Sequence, residues 1–253
     1  MSGEAPRPVE ELVARADELE ADVAAAGGTL RLMGGVAVRL RATDLGGIEP
    51  SRRVYHDIDL VGRLRDVRLI DAAFLRTGYE PDRAINTQFG TMRRVYHHPD
   101  GFHADLFFEK LEFCHTIELN GRLGLVPRTT SPTDLLLQKL QIVERNEKDL
   151  IDASWLLLNH AIGAGDPAQL QADYLVRLTG NDWGLHTTAG DFLADAATRL
   201  DSLGLNADAA ARVGAAIGAL QAAMDEAPKS LRWKARDRVG RRVRWYRTVE
   251  EVL

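Results

Sequence analysis

The sequence predicts an α+β fold of the mixed α/β kind, in which a mixed sheet flanked by helices is followed by an all-helical C-terminal region. In the first half, short apolar runs bounded by turn residues alternate with helical patterns. From Ser131 onward, apolar spacings of three and four dominate. We therefore place an N-terminal core at residues 1–128 and a helical domain at residues 129–253.

The predicted core alternates helices and strands. The turn Pro99-Asp100-Gly101 separates two strand-like runs and predicts a hairpin. Because the hairpin adds antiparallel pairing to strands joined by helices, the sheet should be mixed. The predicted elements are helix Pro8–Ala26, strand Leu30–Met33, helix Val36–Arg41, strand 57–61, helix Val67–Thr77, and strands Thr91–His97 and His103–Phe108.

Composition and charge indicate the cellular compartment of the protein and exclude some kinds of binding. A net charge of -5 argues against nonspecific nucleic-acid binding by the whole surface. The single cysteine, Cys114, cannot form an internal disulfide, which fits a reducing compartment. The acidic N-terminus lacks the apolar segment of a signal peptide, and no run approaches the roughly 20 apolar residues of a membrane span. We therefore expect a cytoplasmic protein that does not bind membranes.

Two aspartates form the first candidate site. In a strand, residues i and i+2 project to the same face, so Asp57 and Asp59 should lie side by side. Adjacent carboxylates repel each other unless a positive charge lies between them. A magnesium ion would supply that charge, because it prefers carboxylate oxygens and substrate phosphates. The alternative is a solvated strand end.

A glycine pair precedes these aspartates. Gly34-Gly35 lies between a predicted strand and a predicted helix, where free amides attract phosphate. The alternative is a glycine pair that only permits a tight turn.

Asp105 is a third candidate carboxylate. It shares a strand face with His103 and Phe107 in an otherwise apolar strand, so it needs a partner. The sequence leaves two kinds of partner open, a metal ion or a structural arginine such as Arg93 or Arg94.

Together these residues resemble the polymerase-beta-type nucleotidyltransferase superfamily. The resemblance rests on Gly34-Gly35-Val36-Ala37, Arg53, His56-Asp57-Ile58-Asp59-Leu60 and Asp105. It implies that residues 1–128 are a catalytic core in which the two glycines contact the nucleotide phosphates. It also implies that Asp57 and Asp59 ligate two magnesium ions, and that Asp105 ligates the catalytic metal and activates the incoming hydroxyl.

A second stretch is similar to the AbiEii-like nucleotidyltransferases, which include toxins of bacterial toxin-antitoxin systems. This likeness rests on residues 130–141, Arg145 and residues 147–152. It implies that Lys139 reaches the nucleotide phosphates and that Asp149 helps form the same pocket. From the residues alone, the alternative is an ion pair between the two on the helix surface. The two resemblances together cover roughly Leu30 to His160.

The aminoglycoside nucleotidyltransferases share a similar G-G-x-A and H-D-I-D-L pattern, so these motifs do not separate the subfamilies. The glycine turn continues with Val36, where many relatives carry a serine or threonine after one of the glycines. This difference removes one hydroxyl contact to phosphate.

The C-terminal segment 229–247 reverses the sign of the chain, with nine basic residues and one acidic residue. Basic residues interleaved with Trp233, Trp245 and Tyr246 suit binding of tRNA or other RNA. The alternative is a basic segment that docks on acidic groups of the protein itself, with the tryptophans as anchors.

The resemblance implies attack of an acceptor hydroxyl on the α phosphorus of a nucleoside triphosphate, with release of pyrophosphate. RNA, a protein side chain and a small molecule remain open as acceptors, and a cognate antitoxin as a partner. Two other classes also remain open. They are a catalytically silent relative that binds nucleotide or a partner protein, and a structural helical adaptor.

Overall fold

The computed structural model describes residues 5–248, which form two compact units. Unit 1 contains the described residues up to Arg41, then Arg53–Leu111 and Glu118–Ser131. Unit 2 contains Ala42–Arg52, Glu112–Ile117 and the described residues from Pro132 onward. Each unit therefore collects segments that are distant in sequence.

Unit 1 alternates helices and strands, and the predicted α+β class is confirmed. Helix α2 begins at Gly34 itself, so the glycine pair opens the helix and does not merely precede it. A short strand and a short helix between residues 80 and 89 were not predicted from the sequence. The helices are α1 (Val9–Ala25), α2 (Gly34–Arg41), α3 (Val67–Arg76) and α4 (Arg83–Phe89), and the strands are β1 (Leu30–Met33), β2 (Asp57–Gly62), β3 (Glu80–Pro81), β4 (Arg93–His98) and β5 (Phe102–Phe108).

The five strands form one mixed sheet in the order β1-β2-β5-β4-β3. Strands β2 and β5 are parallel, and the other neighbouring pairs are antiparallel. The predicted hairpin is confirmed, because β4 pairs antiparallel with β5. Two further strands, β6 (Lys110–Glu112) and β7 (Thr116–Glu118), form a separate two-stranded sheet.

One face of the large sheet packs against helices, and we call it the helix face. Phe74 of α3 stacks on Tyr96 of β4 with ring centroids 3.9 Å apart. Tyr79 meets Phe74 edge to face at 5.1 Å. Since side chains alternate along a strand, Ile58 and Leu60 of β2 share this face and are fully buried.

The segment before residue 131 adds to the free edge of β1. Leu32 donates its amide to the Arg128 carbonyl at 2.9 Å, and its own carbonyl accepts from the Thr130 amide at 3.0 Å. Arg128 has a φ of 66° and forms a bidentate ion pair with Asp17 of α1. Side-chain and backbone bonds therefore hold this segment on unit 1.

Unit 2 is mainly helical. It contains α5 (Pro132–Leu140), α6 (Glu147–Asn159), α7 (Ala172–Asn181), α8 (Trp183–Arg199), α9 (Ala207–Glu226) and α10 (Leu231–Asp237). A short parallel pair, β8 (Ile162–Gly163) and β9 (Leu170–Gln171), interrupts the helices. Side chains of Asn146, Asp182, Asn206 and Ser230 cap four of these helices by accepting backbone amide hydrogen bonds.

An early segment, residues 42–52, belongs to unit 2. The Asn159 side-chain oxygen accepts from the amides of Thr43 at 3.0 Å and Asp44 at 2.8 Å. A Cβ at Gly46 would lie 2.7 Å from Leu205 and 2.9 Å from Ala209, so the backbone approaches α9 closely.

Within residues 5–248, no helix has both the length and the apolar character needed to span a membrane.

The contacts of the Asp71 side chain should contribute measurably to the stability of unit 1. Its carboxylate pairs with Arg94 at 2.7 Å and accepts the hydroxyl of buried Tyr96. Asp71→Ala leaves both groups without this partner, and we expect it to lower the free energy of unfolding by about 1–3 kcal/mol. Urea denaturation measures the loss.

The matched control is Asp22→Ala, which removes the partner of Arg76, an arginine that is more exposed than Arg94. It should cost below about 1 kcal/mol. Equal losses in the two variants would contradict a special role for Asp71.

Candidate active site

The register of β2 and β5 brings the predicted site residues together. Asp57 lies opposite His103, and Asp59 lies opposite Asp105. These four residues occupy alternate positions that face away from the helix face, because Ile58 and Ala104 between them point towards the helices. We call this surface the carboxylate face.

Gly34 allows the Asp59 carboxylate to lie against the first residue of α2. Gly34 has a φ of 66°, and a Cβ placed on it would be 1.9 Å from Asp59 Oδ2. An alanine therefore would meet both backbone strain and a direct clash. A carboxylate at this position interacts favourably with the positive end of the helix dipole. Gly35 follows as the second, buried residue of α2.

Arg93 is the partner of Asp105, which answers the question that the sequence left open between Arg93 and Arg94. Its Nη2 donates to Oδ1 at 3.0 Å and to Oδ2 at 2.9 Å, and its Nε donates to Oδ1 at 3.2 Å. Arg94, one residue later, points to the helix face and pairs with Asp71. The alternation of side chains along β4 separates the two arginines.

Asp105 has a perturbed ionisation. Burial raises the pKa of the Asp105 carboxyl above its usual value, because the charged form loses solvation. The charges of Arg93 and His103 and the hydrogen bonds from Arg93 oppose this increase, whereas the Asp57 charge adds to it. A carboxylate with a raised pKa is a better proton acceptor than an ordinary one.

His103 lies between two carboxylates, and no role was predicted for it from the sequence. Its Nε2 is 4.0 Å from Asp57 Oδ2 and 3.9 Å from Asp105 Oδ2. Ligand atoms of these three residues lie within 4.8 Å of one another. Two ligands of one cation at about 2.1 Å each are separated by at most about 4.2 Å, which both histidine distances satisfy, whereas a separation of 4.8 Å would require the side chains to move closer to a shared ion. The signal in the sequence was the position of His103 two residues before Asp105.

Arg53 remains with the loop before β2. Its guanidinium lies over the Tyr55 ring, 4.6 Å from the centroid, and its Nη1 donates to the Val54 carbonyl at 2.6 Å. The structure therefore gives Arg53 a local role in the loop that leads to Asp57.

Lys139 and Asp149 belong to a buried cluster in unit 2. Lys139 Nζ lies 3.1 Å from Asp149 Oδ1 and 2.8 Å from Oδ2 of fully buried Asp152. The ion pair between Lys139 and Asp149 is therefore present, but it is buried and does not lie on the helix surface. Asp149 also completes a capping box with Asn146 at the start of α6. Roles of Lys139 and Asp149 in nucleotide binding remain predictions.

The basic segment 229–247 makes many contacts within unit 2. Arg241 forms a bidentate ion pair with Asp191, at 2.7 and 2.8 Å. Trp183 donates to Asp237 at 2.7 Å, and Trp245 donates to Thr188 at 3.0 Å. These contacts match the docking alternative for the Arg241 region, whereas several other arginines of the segment do not pair with carboxylates among the described residues 5–248.

Comparison with solved structures gives weak likenesses. The crystal structure of an antigenic nucleotidyltransferase-like protein from Paracoccidioides brasiliensis matches with a TM-score of 0.46 and 16% identity, over 89% of this chain and 97% of that one. The solution structure of the antibiotic-resistance factor ANT(2'')-Ia matches with a TM-score of 0.42 and 15% identity, over 68% of this chain and 95% of that one. No protein-family model and no curated protein matches the sequence. Likenesses this weak assign no activity to the chain.

The contact between Gly34 and Asp59 predicts a coupled loss of stability. Gly34→Ala should destabilise unit 1 through both the positive φ and the clash with Asp59. In an Asp59→Ala background the contacts with Oδ2 and Cγ disappear and the 2.9 Å contact with Cβ remains, so the cost should fall towards the about 1–2 kcal/mol of the backbone strain. Urea denaturation of the two single variants and the double variant measures this coupling. Equal costs of Gly34→Ala in both backgrounds would show that the carboxylate does not occupy the space.

The ion pair of Arg93 predicts a pH-dependent stability. At neutral pH, Arg93→Gln leaves the buried Asp105 carboxylate without its cation and should cost about 2 kcal/mol. Because the pKa of Asp105 is raised in the folded state, the ionised form costs stability, and that cost disappears as the pH falls through the folded pKa. The penalty of Arg93→Gln should therefore shrink on acidification.

Urea denaturation between neutral and acidic pH measures this trend. The control is the same substitution in an Asp105→Asn background, where the penalty should not depend on Asp105 ionisation. A pH-dependent penalty of equal size in that background would assign the effect to other groups.

Proposed function

We propose that this chain is a nucleotidyltransferase that moves a nucleoside monophosphate from a nucleoside triphosphate to an acceptor hydroxyl, with release of pyrophosphate. The observation that supports it is the alignment of Asp57, Asp59 and Asp105 on adjacent parallel strands, with Asp59 against the start of α2. Three carboxylates beside a helix N-terminus suit a metal-bound phosphate chain.

The carboxylate oxygens of this face are the donors that a divalent cation such as magnesium prefers. Asp57 and Asp105 offer carboxylate oxygens, and the ligand atoms of these residues and His103 lie within 4.8 Å of one another. When bound, such an ion would polarise a phosphoryl oxygen and neutralise charge that develops on the phosphates. Two ions, as the resemblance implies, would involve Asp59 as well.

The residues of the chain have distinct tasks in this proposal. The amides at Gly34 and Gly35 face the phosphates, and Asp59 beside them makes triphosphate binding depend on a cation. Arg93 orients Asp105 through its two nitrogens. Asp105, with its raised pKa, accepts the proton of the attacking hydroxyl.

Finer assignments depend on the family resemblance. Lys139 would bind phosphate, although it already contacts Asp149 and Asp152. We propose RNA, including tRNA, as the acceptor, since cationic side chains and aromatic rings lie together in segment 229–247. The proposal of an RNA acceptor includes a role as a toxin with a cognate antitoxin. A small-molecule acceptor of the aminoglycoside type is the second candidate.

The direct test is incubation of the protein with each of the four α-labelled nucleoside triphosphates, magnesium and total bacterial RNA. Asp57→Asn with Asp59→Asn should reduce label transfer at least about 100-fold, because even outer-shell groups of metal sites contribute 10–100-fold. Asp22→Asn, a substitution on α1 outside the carboxylate face, should retain transfer and is the matched control.

Separate incubations with RNA, protein and aminoglycoside acceptors identify the acceptor class. Magnesium-dependent triphosphate binding without transfer to any acceptor would indicate a catalytically silent relative. The absence of both binding and transfer would reject the proposal.

A further inference from the structure

A cavity of about 760 Å³ lies within unit 2, between the start of α8, α10 and the segment that follows α10. Residues 114–116 form another part of its wall. Its lining is rich in guanidinium groups and aromatic rings, notably Arg232, Arg236, Arg244, Arg247, Trp183 and Trp245. We call it the arginine cavity.

The charges around the arginine cavity are not balanced. Four arginines line it, and Asp182 is the acidic residue in its wall. The Asp182 carboxylate accepts the Leu185 amide at 3.0 Å as the cap of α8. Within residues 5–248, none of the four arginines forms an ion pair, whereas neighbouring Arg241 pairs with Asp191. Like charges that converge on one cavity repel each other, so an anion there would be stabilised.

Neutral groups hold two of these guanidiniums in place. Arg236 donates to the carbonyls of Gly240 at 2.6 Å and Val243 at 2.7 Å, and it lies over the Trp183 ring at 4.8 Å. Arg247 donates to the Phe113 carbonyl at 2.9 Å and to Thr116 Oγ1 at 3.0 Å. Such partners fix the side chains without cancelling their charge, which lowers the entropy cost of binding an anion.

The shape and chemistry of the cavity indicate its ligand. Planar guanidinium groups match phosphate oxygens, and their charge does not depend on pH in the ordinary range. The volume lies within the range of about 300–1,000 Å³ typical of small-molecule sites, which exceeds the needs of a single phosphate ion. Aromatic rings in the same wall suit a planar base.

We propose that the arginine cavity binds a nucleotide unit, meaning a phosphate group with its attached base. The unit is either a free mononucleotide or one residue of a single-stranded RNA. This site lies wholly in unit 2, and the inference does not depend on catalysis at Asp57, Asp59 and Asp105.

The test compares two double variants with the same change of net charge. Arg232→Gln with Arg244→Gln removes two lining charges, and both side chains are exposed, so the fold should persist. Arg238→Gln with Arg242→Gln removes two exposed charges from the same segment that do not line the cavity. Circular dichroism on heating checks that both variants remain folded.

Tryptophan fluorescence and calorimetry at low salt measure binding of adenosine 5′-monophosphate and of hexauridylate. The lining variant should weaken binding at least about 10-fold, and the control variant below about 3-fold, because a charge-assisted contact contributes more than long-range attraction. If the ligand is RNA, the lining variant should also reduce the salt slope by about 0.7, as expected for the loss of one phosphate contact.

Tight binding of the mononucleotide identifies a free nucleotide as the ligand, and binding of hexauridylate alone identifies single-stranded RNA. Equal weakening in both double variants would overturn the proposal in favour of a diffuse basic surface. The absence of binding of either probe to the wild-type protein would also overturn it.

Discussion

The parallel register of β2 and β5 determines which functional side chains meet in this molecule. Two aspartates on β2 face a histidine and an aspartate on β5, residue for residue. A shift of one position would turn one of these sets towards the helix face. The helix face is filled by large side chains such as Phe74 and Tyr96, so a charged set there would lose its solvation. Packing on one face therefore fixes the chemistry on the other.

The carboxylate face balances its negative charges by different means. Asp59 lies against a helix terminus, and Asp105 has a dedicated arginine. Asp57 is more exposed and lies near His103. Burial raises the pKa of Asp105. Carboxyl groups of the same chemistry therefore differ in acidity when their surroundings differ. Residues of one type can therefore perform different tasks at neutral pH.

The type of partner distinguishes Lys139 from the arginines of the arginine cavity, which both belong to unit 2. Lys139 is buried and contacts two carboxylates, so its charge is compensated inside the protein. Arg236 and Arg247 of the cavity are fixed by carbonyl and hydroxyl groups, which leave the charge available to a ligand. A buried ion pair and a preorganised anion site thus use the same type of charge for opposite purposes.

Local patterns in the sequence predicted most of the fold that carries the site. The two-residue period placed Asp57 and Asp59 on one face, and the turn at residues 99–101 predicted the hairpin. The choice between Arg93 and Arg94 could not be made, because the face of β4 depends on tertiary packing. Short elements such as β3 lack a periodic signal. Nothing local indicates that residues 42–52 join a later part of the chain.

Because residues 42–52 belong to unit 2, their packing has a consequence for synthesis of the protein on the ribosome. The partners of Gly46 are Leu158, Leu205 and Ala209, which the ribosome makes more than a hundred residues later. Until these residues are made, residues 42–52 form an open loop between α2 and β2, although β1 and β2 can already pair. Vectorial folding of this chain therefore completes the sheet before it completes the connection that interrupts it.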